Sequence, residues 1–513
     1  MQPIKNKKSL RIIAIIIASL AFLISLFFNE LNLYHLRKDS LELRHNSTII
    51  TADDASYLNP AKNFIEKGEF KGNMLGRGAY FLRPPAYSFL IIGLSYISDY
   101  QSSITLLKYL QLTLFSISVY LLFFIAIKYI GSIKIAIVIA LIYGTTNIAS
   151  IFLYYTLTEG ITPALLIFFI YFLIKAREEK REKNKLIFYY ISALIFSFMF
   201  ITRPFLGVLG IAFPFFIFKD FWKKQKKLWI QLFIIGIISS SGMIFWQIRN
   251  YKIAGEFVGL HPIYYAENSQ SSFRPTHQAF WNLAKGWGET GSNFHSYMDK
   301  FWENTISGNA DNSNVENIIN SLPNDVTETL GRERFRDMFN NYQSSILYQK
   351  YYIENNLAMP NKIPELELKT ISQIETLERD FKSKFWFRYY VVSPLKAFKE
   401  ISFHSNLSLY IFQKTYRGNW LMEALRLFCF SVHSLAFILL IFSLLHKTPM
   451  EYKSIFSFAL LIYVFYLIFV QRGVEERYTL PILSLVLISF GKTINSIYLW
   501  VKKDRLIRIG KIL

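Results

Sequence analysis

Long apolar runs separated by short polar blocks make up most of the chain. The first run, "LRIIAIIIASLAFLISLFF" at 10–28, follows Lys5, Lys7 and Lys8. It is too long for a signal-peptide core and lacks a small-residue cleavage site, which predicts an uncleaved anchor with a cytoplasmic N-terminus. Further runs near 109–127, 135–153, 160–174, 186–201, 204–218, 228–248, 421–445, 454–470 and 478–500 are expected to span, the shorter ones with local thinning of the bilayer. The run "PPAYSFLIIGLSYI" at 84–97 differs. As a helix it reaches only about 20 Å of a ~30 Å hydrocarbon layer, so it is expected at the interface or half-inserted.

The polar blocks set the orientation. "KAREEKREKNK" (175–185), "KDFWKKQKK" (219–227), "HKTPMEYK" (446–453) and "KKDRLIRIGK" (502–511) are rich in Lys and Arg, and the positive-inside bias places all four in the cytoplasm. About ten spans satisfy every block, with both termini inside. The expected fold is therefore all-α: a polytopic integral protein of the inner or plasma membrane, with about ten transmembrane helices and additional interfacial ones. Composition agrees, at 52% hydrophobic and 17% aromatic residues, more apolar than a soluble domain. The formal charge of +21 is concentrated between the spans, so it reads as topology and not as a nucleic-acid-binding face. The single cysteine, Cys429, excludes an intramolecular disulfide and a cysteine-based zinc site.

This topology divides the chain into a membrane module at 1–249, a large outward-facing loop at 250–420 and a second membrane module at 421–513. A smaller outward loop, 29–83, lies inside the first module. The large loop has few Gly and Pro, many aromatic residues, and helical spacings such as Leu366, Ile371, Ile374 and Leu377, so an ordered helical domain is expected there. No fixed-period repeat and no low-complexity tract is present.

Candidate chemistry gathers on the outward face. Asp53 and Asp54, in "TADDASYLNPAKNFIEKG", stand ahead of an apolar stripe of Tyr57, Ala61, Phe64 and Ile65. Two readings stand side by side: helix capping, since Asp satisfies free amides at a helix start, and chemistry, since Pro60 favours a regular helix that begins only at Asn59 or Pro60. Glu159, in "TLTEGITPALL", lies where one span leaves the membrane and the next re-enters; it is either an acid in the first turn of a helix that Thr158 caps or a functional carboxylate. Arg83, Arg203, Arg249, Arg472 and Arg477 crowd the same face against the positive-inside bias. Each alone reads as a snorkelling anchor; together they suit a phosphate or pyrophosphate headgroup, which guanidinium binds bidentately. Tyr57 joins them as a candidate substrate contact. His261, His277 and His295 share the large loop without a zinc-like spacing. No Walker loop, nucleophile elbow or Rossmann fingerprint is present.

The order of these segments, from "DDASYLNPAKNFIEKG" through "RPPAYSFL", "LTEGITPALL", "ITRPF" and "FWQIRNYKIAGEFV" to "ERYTLPIL", resembles the GT-C class of membrane glycosyltransferases. The similarity is to bacterial relatives of protein O-mannosyltransferases and of the lipid A aminoarabinose transferase, and it covers roughly 1–260 and 380–500. It implies transfer of a sugar from a polyprenyl-phosphate carrier to a lipid, glycan or protein acceptor at the outer face, with inversion. It also implies Asp53 as the catalytic residue and Glu159 as the second acidic position, while the Asp53/Asp54 doublet and Pro60 depart from the family pattern. No cofactor is assigned, and a divalent cation is the one candidate. In chemical terms a carboxylate beside a hydroxyl acceptor removes its proton during attack, and arginine or a metal ion stabilises the departing phosphate. The rival readings are a secondary transporter or lipid-linked sugar flippase, whose ionisable groups would sit near the midplane in related halves of the chain, and a noncatalytic lipid-binding subunit.

Overall fold

The computed structural model describes residues 7–38, 43–44, 47–51, 53–73, 77–81, 83–255, 257–258, 275–287, 291–357, 363–407, 414–472 and 475–509. The chain is an all-α polytopic membrane protein. Its N-terminal module contains α1 (Lys7–Lys38), α2 (Ala55–Lys67), α3 (Ala86–Ser95), α4 (Tyr100–Ile130), α5 (Ile133–Thr145), α6 (Thr162–Glu178), α7 (Glu182–Phe200), α8 (Ala212–Phe221) and α9 (Gln225–Ala254). Next come α10 (Pro275–Ala284), α11 (Gly291–Ile306), α12 (Asn312–Ser321), α13 (Asn324–Leu330), α14 (Arg332–Glu354), α15 (Glu365–Lys384) and α16 (Ser393–Ser402). The C-terminal module holds α17 (Trp420–Ile438), α18 (Met450–Gln471) and α19 (Leu483–Ile509).

Among the described residues, seven helical segments are long and apolar enough to cross a membrane: Lys7–Lys38, Tyr100–Ile130, Pro204–Phe221, Gln225–Ala254, Trp420–Leu445, Met450–Gln471 and Glu476–Lys502. The remaining expected spans correspond to α5, α6 and α7, of 13, 17 and 19 residues. The expected run 135–153 is cut short, because α5 stops at Thr145. The Thr145 and Thr146 hydroxyls bond back to the Leu141 and Ile142 carbonyls at 2.7 and 2.6 Å, and Asn147 takes a φ of 61°, the left-handed turn that Asn tolerates. Residues 147–157 then continue as buried turns and bends. The segment Ala86–Ser95 is too short to cross, as its run predicts.

Small residues let α1, α4 and α5 approach closely. A Cβ at Gly144 would stand 2.9 Å from the Ala21 Cβ, and Ser116 donates to the Ala18 carbonyl at 2.8 Å. The opposite face of α1, with Ile12, Ile15, Ile16, Leu23 and Phe27, is exposed, as a lipid-facing stripe is.

Three basic blocks meet at one end of the bundle. Arg177 pairs with Asp220 and, at 3.5 Å, with Glu451, while Lys219 reaches Glu451 at 2.7 Å and Lys185 reaches Asp220 at 3.3 Å. Glu159 precedes the other end of α6, about 25 Å away at 1.5 Å per residue. The two chemistries of the chain therefore lie at opposite ends of the same helices.

The large loop builds its own apolar core from α10 to α15, including Phe280, Trp287, Phe301, Phe339 and Phe381. The stripe expected around Ile374 and Leu377 is the buried face of α15. By contrast Ile401, on α16, belongs to the membrane body's core.

Candidate active site

The first loop is stitched to the turns after α5. β1 (Leu43–Arg44) pairs antiparallel with β2 (Thr48–Ile49), and the Ile49 amide donates to the Tyr154 carbonyl at 2.9 Å. This attachment carries Asp53 and Asp54 toward Glu159.

The acidic pair then splits. Asp54 stands at the N-cap position of α2 with helical backbone angles and makes no side-chain cap. Its carboxylate is fully buried and is gripped by Arg44, whose Nη2 lies 3.0 Å from each oxygen, and by the Thr156 hydroxyl at 3.2 Å. Asp53 turns the other way. Its Oδ1 accepts from Arg83 Nη2 and its Oδ2 from Arg477 Nη2, both at 2.7 Å. The capping reading therefore fails for the side chain of Asp54, and Asp53 has both oxygens committed to arginine. Helix α2 begins at Ala55 and runs through Pro60, ahead of the start at Asn59 or Pro60 that the proline rule favours. Pro60 forfeits one amide bond, toward Ser56, and the helix tolerates that loss against α3, where Ser88 donates to the Tyr57 carbonyl at 2.7 Å.

Glu159 lies in a tight turn, Thr158–Gly160, just before α6. It is buried, and Arg203 Nη1 reaches its Oε1 at 2.8 Å while Arg477 Nε approaches at 3.6 Å. The Thr158 hydroxyl donates to Glu159 itself at 3.2 Å, in place of the expected cap on α6. Gln111, buried in α4, sets this turn: it donates to the Leu153 and Tyr155 carbonyls at 2.7 and 3.2 Å and accepts from the Tyr87 hydroxyl at 2.8 Å. A Cβ at Gly160 would fall 2.2 Å from the Gln111 Oε1, so only glycine allows this approach.

Asp53, Tyr57, Arg83, Glu159, Arg203 and Arg477 line one cavity of about 260 Å³, together with Pro84, Thr158, Thr202, Pro204, Phe205, Tyr466, Leu467, Gln471 and Tyr478. Arg83 stacks on the Tyr57 ring at 5.3 Å, and Arg203 lies between Phe205 (4.8 Å) and Tyr478 (5.4 Å). Burial by itself would raise the Asp53 carboxyl, but Arg83 and Arg477 outweigh it and hold it below its ordinary value. Burial would likewise raise Glu159, and Arg203 and Arg477 pull it below the usual range. Both acids are thus anionic at neutral pH, facing three guanidinium groups. Glu475 adds a third carboxylate, 2.5 Å from Arg477 Nε.

Two of the expected arginines are elsewhere. Arg249 donates to the Phe70 and Tyr80 carbonyls at 2.7 and 2.8 Å and stacks on Trp246 at 4.6 Å. Arg472 donates to the Tyr389 and Phe469 carbonyls at 2.8 and 3.0 Å. Both fasten backbone and neither lines the cavity. Residues that the sequence did not single out are Gln111, Phe205, Tyr466, Gln471, Glu475 and Tyr478; for Gln111, the one signal was an amide inside an apolar run. His261 and the side chain of His295 lie outside the described residues, and His277 is buried against Tyr342 in the loop domain. Among the described residues no three His, Cys, Asp or Glu side chains converge to hold a metal. The cavity's carboxylates already have arginine partners, so a divalent ion there would have to displace a guanidinium.

No protein-family model and no curated protein matches the chain. Two crystal structures of ArnT from Cupriavidus metallidurans are similar to it. The one bound to undecaprenyl phosphate is 10% identical, with 95% of this chain and 78% of that one covered at a TM-score of 0.33. The apo structure is 11% identical, with 92% and 76% covered and the same TM-score of 0.33. At this identity and TM-score neither structure transfers a residue role or a ligand to this chain.

Proposed function

We propose that the chain is a GT-C type glycosyltransferase that moves a sugar from a polyprenyl-phosphate carrier to a hydroxyl acceptor at the outer face of the cell membrane, with inversion and with Asp53 as general base. The observation that supports this reading is the convergence of Asp53, Glu159, Arg83, Arg203 and Arg477 in one cavity at the end of an apolar bundle opposite the basic blocks. A polar cavity at the edge of a bilayer suits a ligand with an anionic headgroup and an apolar tail.

The acceptor's O–H proton passes to the Asp53 carboxylate as its oxygen bonds the anomeric carbon from the face opposite the phosphate. The bond from that carbon to the carrier phosphate breaks, and its electron pair stays on the phosphate oxygen. The departing phosphate needs no proton, because guanidinium groups meet its charge. Asp53 is a poor base while two arginines hold both of its oxygens. In this reading the donor's phosphate draws Arg83 and Arg477 onto itself and releases Asp53 for the acceptor. Glu159 with Arg203 keeps Arg477 within reach of both positions.

The test is purified protein in proteoliposomes with a sugar-loaded polyprenyl phosphate. Release of free polyprenyl phosphate only when acceptor is supplied supports the transferase. Movement of intact lipid-linked sugar across the membrane without release would make the chain a flippase instead.

A further inference from the structure

Residues 386–402 lead from the loop domain back to the membrane body, and their exposure pattern is inverted relative to a soluble helix. Trp386, Phe387, Tyr390 and Leu395 are 60, 55, 50 and 61% exposed. A π-helical turn at Arg388–Val392 adds one residue to the winding. Trp386, Tyr390, Leu395 and Lys399, at spacings of four, five and four, therefore stay on one face of a helix that would otherwise rotate them apart. Lys396 and Lys399 are exposed beside the apolar stripe.

Two attachments fix where this helix lies. Near its start Arg472, at the end of span α18, donates to the Tyr389 carbonyl at 2.8 Å and to the Ser393 hydroxyl at 3.5 Å. At its far end His433 Nδ1 donates to the Ser402 carbonyl at 3.1 Å, and the Phe403 ring lies 6.4 Å from that of Phe430. Phe430 is ten residues into the apolar segment Trp420–Leu445, about 15 Å along its axis, and its exposed neighbours Leu427 and Phe428 face outward from the bundle. The helix is thus pinned at the end of one span, by Arg472, and to the body of another, by His433 and Phe430. It lies across the bundle beside the turn that carries Arg477, where His404 Nε2 and Thr479 Oγ1 are 3.4 Å apart.

We infer that residues 386–399 form an interfacial helix embedded in the leaflet on the cavity side, with Trp386, Phe387, Tyr390 and Leu395 among the acyl chains and Lys396 and Lys399 at the lipid phosphates. The partner is bilayer phospholipid. The attachment to two apolar spans sets the depth, and an apolar stripe flanked by lysines is the composition that such a position requires.

The test places a nitroxide at Leu395→Cys, in a Cys429→Ser background, in nanodiscs of phosphatidylcholine and phosphatidylglycerol. Collision with oxygen should exceed collision with a water-soluble nickel complex, at a depth of about 5–10 Å below the phosphates. A label at Tyr351→Cys, on the loop domain, should show the reverse. The pair Lys396→Glu and Lys399→Glu should move the Leu395 label toward water. A nickel-accessible label at Leu395 overturns the inference, and dipolar broadening between labels would assign the face to a second copy of the chain. A measurement that retains Cys429 backs this up: brominated lipid should quench the fluorescence of the unmodified protein more than that of Trp386→Phe, and equal quenching overturns the inference too. Glycosyl transfer plays no part in either readout.

Discussion

Arg477 Nη2 donates to Asp53 Oδ2 at 2.7 Å, across a sequence separation of 424 residues. The same guanidinium approaches Glu159 at 3.6 Å and Glu475 at 2.5 Å. One side chain near the end of the chain thus organises the acids contributed by its beginning, and the first predictions follow from removing one member of that set at a time.

Asp53→Asn keeps the shape but cannot take a proton. Turnover should fall by at least about 10² with normal expression and thermal stability, read in the carrier-release assay. Asp54→Asn should do the opposite, because Asp54 is buried against Arg44 and Thr156. Thermal unfolding in detergent should show a loss of about 1–3 kcal/mol, with turnover per folded molecule retained. If Asp54→Asn is the inactive variant, the base is one residue further along.

If Asp53 competes with the donor's phosphate for Arg83 and Arg477, Asp53→Ala should bind polyprenyl phosphate more tightly than the unchanged protein, by about tenfold. Titration calorimetry in nanodiscs gives the comparison. Equal affinity in both would mean that the arginines serve phosphate and Asp53 at once.

Arg203 and Glu159 are both buried, so removing one partner strands the other. Arg203→Ala should lower stability by about 3–5 kcal/mol, and adding Glu159→Gln should restore much of it. Arg203→Lys should recover donor use only in part, since the forked geometry is lost. Arg249→Gln, which removes contacts to the Phe70 and Tyr80 carbonyls and the stacking on Trp246, none of them in the cavity, should reduce stability while leaving the donor concentration for half-maximal rate unchanged.

The pH dependence has a definite sign. Asp53 is depressed in the folded protein by Arg83 and Arg477, so its contribution to stability is present above the unfolded carboxyl value, about 3.9, and is lost as pH falls through the lower folded value. The acid limb of kcat/KM should accordingly lie below the ordinary carboxylate range. Arg83→Gln should move that limb to higher pH, and an unmoved limb would assign it to another group.

The topology can be labelled directly in the Cys429→Ser background. Tyr351→Cys should react with an impermeant thiol reagent in intact cells, whereas Gln225→Cys should react only after permeabilisation. The opposite pattern would turn the whole bundle over.

Much of this arrangement could be read from local patterns. Apolar runs and basic blocks mark the spans, because the bilayer imposes length and charge rules on each segment separately. Asp53 and Glu159 stood out as acids beside the expected spans, and Arg83, Arg203 and Arg477 as arginines outside the four basic blocks. What local patterns cannot carry is the sorting of near-identical neighbours. Asp53 and Asp54 differ through Arg477, Arg83, Arg44 and Thr156, which lie 10 to 424 residues away. Arg249 and Arg472 look like Arg203 and Arg477 in sequence, yet they find carbonyl oxygens that tertiary packing leaves open. The rule that Pro60 should delay a helix lost to the packing of α2 on α3, and the apolar run at 135–153 hid a stop made by two threonine hydroxyls and Asn147.

The distance between Asp53 and Arg477 along the chain also has a meaning for synthesis. At about 5–20 residues per second, tens of seconds separate the emergence of the first acid from that of its second guanidinium. A nascent chain halted before the last helix holds Asp53 with Arg83 and Glu159 with Arg203, but nothing that joins the two pairs. The complete charge set therefore comes into being only when the final membrane segment has been threaded into place, so partly made copies carry two separate ion pairs in place of one joined cluster.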